Sequence, residues 1–165
     1  MLRRPLLNDV PAITKELNNH NISDNTLTIP FPFQKENAIH WVKKYQQEWT
    51  DTTSYVFVIT LKKTGELIGA MGLHLQPMHD RAEAGYWIAE SHWNKGYATE
   101  ALKAVLDFGF TQLNLHKIFA THMLHNPSSG KVMMKAGMIR EAKLKEHYKK
   151  QNRFMSVIQY YILRS

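Results

Sequence analysis

Residues 92–102 read HWNKGYATEAL. Two small residues, Gly96 and Ala98, follow Lys95, and helical patterning begins at once behind them. Ahead of them, residues 81–89 (RAEAGYWIA) read as a strand. Over 97–113, Ala98, Leu102, Val105, Leu106, Gly109 and Leu113 share one helical face, with Lys103 and Asp107 off it. The stretch is therefore a strand–loop–helix junction. The first turn of such a helix leaves backbone N–H groups unpaired and carries partial positive charge. Small residues there let an anion come close to the backbone. Taken alone, Gly96 reads more readily as relief for a tight turn. The Gly-Lys-Ser/Thr ending of a P-loop and the three-glycine dinucleotide fingerprint are both missing.

Outward from this junction, the chain alternates in texture. Residues 8–20 predict a helix, with Asn8 and Asp9 as caps, Pro11 in the first turn, and Val10, Ile13 and Leu17 at helical spacing. Residues 22–33 (ISDNTLTIPFPF) read as a loop with exposed apolar groups Ile29, Phe31 and Phe33. A second helix is expected over 36–49, with Ile39, Val42 and Tyr45 on one side. Strands follow at 54–61, 67–75 and 81–89, an antiparallel meander with a turn at 62–66. After the helix at 97–113 comes a strand at 117–123. A helix within 125–138 is entered at Asn126-Pro127 and stopped by Gly137. Two strands, 139–148 and 154–163, close the chain. The order predicts an α+β, or mixed α/β, sandwich: a mostly antiparallel sheet flanked by helices. A single domain over 1–165 is expected.

Composition narrows the function classes. The 165 residues are 44% apolar and 21% charged, ordinary for a soluble globular protein. No apolar run approaches the roughly 20 residues that span a bilayer. The opening MLRRPLLNDVPAI meets Pro5, Asn8 and Asp9 too early for a signal-peptide core, so a cytoplasmic protein without a membrane partner is expected. With no cysteine, disulfides, thiolate nucleophiles and cysteine zinc sites are excluded. The net charge of +7 attracts anions such as phosphorylated cofactors. Its basic runs are short and interrupted, so direct nucleic-acid binding is not expected, although proximity to a ribosome is compatible with the charge.

GYWIAESHWNKGYATEAL (85–102) and HNPSSGKVMMKAGM (125–138) together resemble the GNAT superfamily of acetyl-CoA-dependent N-acetyltransferases, and more narrowly its RimJ/RimL-like branch. The resemblance extends more weakly to both ends of the chain. It implies a GNAT-like sheet splayed at the cofactor site and acetyl-CoA as cosubstrate. The family loop pattern is Gln/Arg-x-x-Gly-x-Gly/Ala, whose amides bind the CoA pyrophosphate. Gly96 and Ala98 match it, Trp93 takes the Gln/Arg place, and Asn94 stands where glycine is common. By resemblance, Asn94, Lys95, Gly96, Tyr97, Ala98 and Thr99 form the pyrophosphate cradle. Backbone groups of Trp87, Ile88 and Ala89 would pair with the pantetheine, and the Ile88 N–H would face a developing oxyanion. Asn126 and Ser129 match the branch's Asn-x-x-Ser, which lies near the sulfur, and Lys131 would reach a CoA phosphate.

An amine must be neutral to attack, and a carboxylate can take its proton. Glu83, on the strand ahead of the loop, is the candidate base, or else a surface partner of Arg81. Many family members place a tyrosine acid where this chain has Met133. That role is vacant, or is filled by Ser129, Tyr148 or water. Ser156 stands where the branch is expected to carry Asp. Without cysteine, direct attack in a ternary complex is the implied mechanism. His122-x-x-His125 lacks an acidic third ligand and predicts no metal site, though both flank the acyl site and a minor role in proton handling stays open. The resemblance implies a primary-amine acceptor: a protein N-terminus such as that of a ribosomal protein, or a small amine, polyamine or antibiotic. A non-catalytic acyl-CoA-binding or ribosome-binding module is the alternative of another class. Monomer and homodimer both remain open.

Overall fold

Seven strands form one sheet in the order β1-β2-β3-β4-β5-β7-β6 in a computed structural model that describes residues 1–164. The strands are β1 (Leu2–Arg3), β2 (Ser54–Thr60), β3 (Leu67–Gln76), β4 (Arg81–Ile88), β5 (Lys117–Met123), β6 (Ile139–Lys150) and β7 (Arg153–Leu163). All neighbours are antiparallel except β4 and β5. The helices are α1 (Val10–Leu17), α2 (His20–Asp24), α3 (Lys35–Thr50), α4 (Tyr97–Thr111) and α5 (Pro127–Lys135). The expected mixed α/β layering and order are observed, with β1 and α2 as additions. Two residues are too short a run for period-2 patterning to show.

Helices cover both faces of the sheet, which is why its central strands are apolar on both sides. On one face α4 and α5 pack over Met71, Leu73, Ile88, Leu102, Val105 and Ile118. On the other, α1 and α3 pack over Val58, Ala70 and Trp87, through Ile13, Leu17 and Val42. Trp87 and Ile88 are consequently both buried, one in each core. Neighbouring residues on a strand point to opposite faces, and here both faces are covered.

The reading of 22–33 as an exposed apolar loop needs correction. Its first residues belong to α2, where Asn19 caps the helix by accepting from the Ile22 N–H at 3.2 Å. Ile29 and Phe33 are 6% and 4% exposed, part of the α1/α3 core, while Phe31 stays 45% exposed. Prolines at 30 and 32 mask the pattern, because they break any helical or strand period while allowing alternate residues to turn inward. Among the described residues, no helix is long and apolar enough to cross a membrane.

The split between Phe31 and Phe33 predicts unequal effects on stability. Phe33→Ala should lower the unfolding free energy by about 3 kcal/mol or more. Phe31→Ala should change it by no more than about 0.5 kcal/mol. Urea unfolding followed by tryptophan fluorescence measures both. Equal losses would contradict the inward placement of Phe33.

Candidate active site

The site begins where two strands part. β4 and β5 pair in parallel only over Arg81–Glu83 and Lys117–Phe119. Beyond that the two strands have no further partners in common, and a wedge opens between them. The alternation of antiparallel pairing decides which backbone groups line it. Ala89 N–H donates to the Ile68 C=O at 2.8 Å, and Ile88 is the register partner of Gly69. Residues 85, 87 and 89 therefore turn their backbone groups to β3, and 84, 86 and 88 turn theirs to the wedge. The expected trio of Trp87, Ile88 and Ala89 narrows accordingly. Only Ile88 offers backbone groups there, joined by Tyr86 one step back. Ala89 does not line the cleft at all.

The wedge is part of a cleft of about 420 Å3. Asn94, Gly96, Tyr97, Ala98 and Thr99 form one wall, and Asn126, Ser129, Lys131 and Lys135 of the α5 region form another. Gly96 is the N-cap of α4 at φ 86°, with no side-chain cap. The first α4 hydrogen bond runs from the Glu100 N–H back to the Gly96 C=O at 3.1 Å, so the N–H groups of the preceding turn stay available. A Cβ at Gly96 would meet no protein atom within 4 Å; the glycine serves a left-handed backbone beside open space. Asn94 is also left-handed, at φ 61°, a conformation that asparagine tolerates better than other side chains. That accounts for asparagine at a glycine-rich position.

Trp93 Nε1–H donates to the Ile88 C=O at 2.7 Å, tying the loop to the end of β4. It also occupies one acceptor of the wedge and leaves the Ile88 N–H free to donate. Lys95 is turned away: its Nζ donates to the Ser91 C=O at 2.9 Å, and it does not line the cleft. The cations that line it are Lys131 and Lys135, one helical turn apart on α5. Sequence alone missed Lys135, although its i, i+4 spacing from Lys131 was a usable signal. Asn126, the N-cap of α5, makes no side-chain capping bond to that helix.

Through the wedge this cleft joins a second one of about 250 Å3 on the α1/α3 face; both are lined by Thr26, Tyr86, Trp87, Thr121 and His122. Glu83 lies in the second cleft, away from Arg81, which bonds Gln76 at 2.6 Å instead. One Glu83 oxygen accepts from Tyr148 OH at 3.0 Å and from Thr121 Oγ1 at 3.3 Å. Burial and the Glu83 charge push the Tyr148 phenol up to about 12, so it stays a neutral donor to that carboxylate. Met133 is 1% exposed in the core, so its place carries no hydroxyl toward the cleft. Ser129 Oγ lies 2.6 Å from Tyr86 OH, whose phenol burial raises to about 12. Ser156 Oγ accepts from the Glu146 N–H at 3.0 Å, within the β6–β7 hairpin.

Of the paired histidines, His122 is buried and His125 exposed. His122 Nδ1 donates to the Met123 C=O at 2.8 Å, and a Cβ at Gly130 would reach 2.6 Å from its Nε2. Gly130 thus lets α5 pack against β5. Among the described residues, no three His, Asp or Glu side chains gather to hold a metal.

Comparison with known proteins places this geometry. The model of the acetyltransferase (GNAT) domain matches residues 1–139, so the chain belongs to the GNAT acetyltransferase family. The N-acetyltransferase p20 of Bacillus licheniformis is 35% identical over 66% of the chain, and the match spans 61% of that relative. The spermidine N(1)-acetyltransferase of Vibrio cholerae is 30% identical, over 88% of the chain and 86% of that protein. RimJ of Mycobacterium smegmatis, solved with CoA-disulfide, shares the fold, with a TM-score of 0.89 over 98% of the chain and 80% of RimJ at 24% identity. These matches agree with the GNAT character of the motifs. Acetyl-CoA is the cosubstrate of the family, and the cleft has what its phosphates and pantetheine require: a free helix N-terminus, two lysines and an unpaired strand edge.

The placement of the lysines can be tested by binding. Lys131→Ala and Lys135→Ala should each weaken CoA binding about 3- to 5-fold, more at low salt than at high. Lys95→Ala should change it by less than about 2-fold. Isothermal titration at two ionic strengths measures this, and a larger loss for Lys95→Ala would contradict the assignment.

Proposed function

We propose that the chain, as one acetyltransferase domain over 1–165 working in the cytoplasm, moves the acetyl group of acetyl-CoA to a primary amine. The observation that carries this reading is the pair of clefts meeting at the β4–β5 wedge. A cofactor and an acceptor entering from opposite faces would meet beside the Ile88 N–H. Bound acetyl-CoA supplies the thioester carbon that the amine attacks. The Gly96–Thr99 turn, Lys131 and Lys135 hold its phosphates, and Asn126 and Ser129 line its narrow end. The Ile88 N–H donates toward the carbonyl oxygen as negative charge gathers there. Glu83 pairs with the incoming ammonium and takes a proton from the attacking nitrogen, held in place by Tyr148 and Thr121.

The acceptor we favour is a primary amine on a slender chain. The second cleft is small and partly walled by the aromatic rings of Trp41, Tyr45 and Trp87. It is roofed by the α2 loop. Lys150 of the β6–β7 hairpin donates to the Ser23 C=O, and to that of Thr26 at 2.7 Å, pinning this loop down. A flexible protein N-terminus meets the same description less easily, because its following residues must pass under the roof.

An absence of cysteine makes thiol detection clean, since released CoA is then the sole thiol. A panel of small amines, polyamines and N-terminal peptides should show amine-dependent CoA release, with small amines saturating at lower concentration. Tight acetyl-CoA binding without release on any amine would favour a non-catalytic binding module. Glu83→Gln should lower kcat/KM about 100-fold and flatten its rise with pH. A profile matching wild type would exclude Glu83 as a base.

A further inference from the structure

An ammonium that becomes an amide sheds two protons, and Glu83 accounts for one. We infer that His74 is a second base, which takes the first proton from the acceptor ammonium. This rests on the acetyltransferase reading above. The placement follows from strand register. Ser54 is the partner of His74 across β2 and β3, and His74 is the partner of Glu83 across β3 and β4. Directly opposed residues share a face, so Ser54, His74 and Glu83 form one row on the α3 side of the sheet. His74 and Glu83 both line the acceptor cleft.

The ring is held in a useful orientation. Its Nδ1 lies 3.0 Å from Ser54 Oγ. Its Nε2 looks across Gly85, where even an added Cβ would stand 3.7 Å away. Because Gly85 carries no side chain, Nε2 is open to the cleft. Ser54 is 5% exposed, so it orients the ring and is no nucleophile. In the tautomer that donates Nδ1–H to Ser54 Oγ, which the proposal requires, Nε2 carries the lone pair.

Burial, rather than the charges around the ring, keeps that lone pair available. From α3 the ring faces Tyr45, at 6.0 Å between centroids, with Glu48 and Lys44 nearby; from β2 it faces Ser54, and from β4 Glu83, to which Tyr148 of β6 also bonds. Burial pulls the imidazole below its ordinary range, against the pull of Glu48 and Glu83. His74 is therefore neutral at pH 7, and an imidazole is a closer match to an amine than a carboxylate is.

The protons balance. His74 Nε2 takes one proton from the ammonium and becomes imidazolium. The freed lone pair forms the C–N bond, the C–S bond breaks, and Glu83 takes the second proton from nitrogen. One proton ends on the thiolate and one in solvent.

The test compares wild type, His74→Gln and Ser54→Ala as full chains, with the best amine of the panel. His74→Gln should lower kcat about tenfold or more, with KM for acetyl-CoA within about twofold and an unchanged melting temperature. Because the imidazole is depressed, the wild-type profile should lose rate with acid on a limb below pH 6.5, and that limb should vanish in His74→Gln. Ser54→Ala, which keeps the imidazole, should fall between the two. Imidazole 15N shifts of the ligand-free protein should show the Nδ1–H tautomer at pH 7. Wild-type turnover with an unaltered His74→Gln profile, or an Nε2–H tautomer, overturns the role of His74 alone. No amine-dependent release by wild type overturns the acetyltransferase reading and this inference with it.

Discussion

The parting of β4 from β5 after three paired residues is the constraint on which the rest of the site depends. A strand edge left unpaired in the middle of a sheet exposes backbone donors and acceptors, and burying such groups without partners is costly. Here the structure meets the cost in part from within. Trp93 caps the Ile88 C=O, and the remaining groups line space that a ligand can fill. Parallel pairing is what permits this. The short β4–β5 contact is followed by the long crossover through α4, so nothing obliges the two strands to stay together.

Several residue choices follow from the wedge. Tyr86 and Trp87 stand on opposite faces of one strand and so line both clefts. His122 on β5 closes the far side, and Gly130 lets α5 come close enough to bring Ser129 and Lys131 to the mouth. α2 is clasped at two points. Glu90, just after β4, accepts from Asn19 at 2.6 Å and Asn21 at 2.8 Å. Lys150, at the end of edge strand β6, holds the following loop. The segment over the second cleft is thus tied both to the end of β4 and to the β6–β7 hairpin.

Much of the fold was legible in the sequence because periodicity reports burial directly. The α4 stripe of Leu102, Val105, Leu106 and Gly109 and the β-branched run at 54–60 name their own structures. That the loop before α4 and the start of α5 border one cleft was legible through Gly96, Ala98 and Asn126, once the residues around them were taken together. On the second cleft Glu83 was singled out by its place on the strand ahead of the loop, but its neighbour His74 was not. The two are nine positions apart in sequence and adjacent only through antiparallel register, which no local pattern reveals. Lys95 misled for a related reason: proximity to the loop in sequence does not say which way a long side chain folds. The inward turn of Ile29 and Phe33 was hidden by Pro30 and Pro32, which lie between them.

The central claim is that the unpaired edge of β4 and the first turn of α4 receive the cofactor together. Backbone amide shifts during titration with an unreactive acetyl-CoA analogue test it most directly. The account predicts the largest movements at Ile88 and at Gly96 to Thr99, with smaller ones at Trp87 and Ala89, whose N–H groups are bonded to β3. Movements centred on α1 and α3, with Ile88 and Gly96 unmoved, would contradict it.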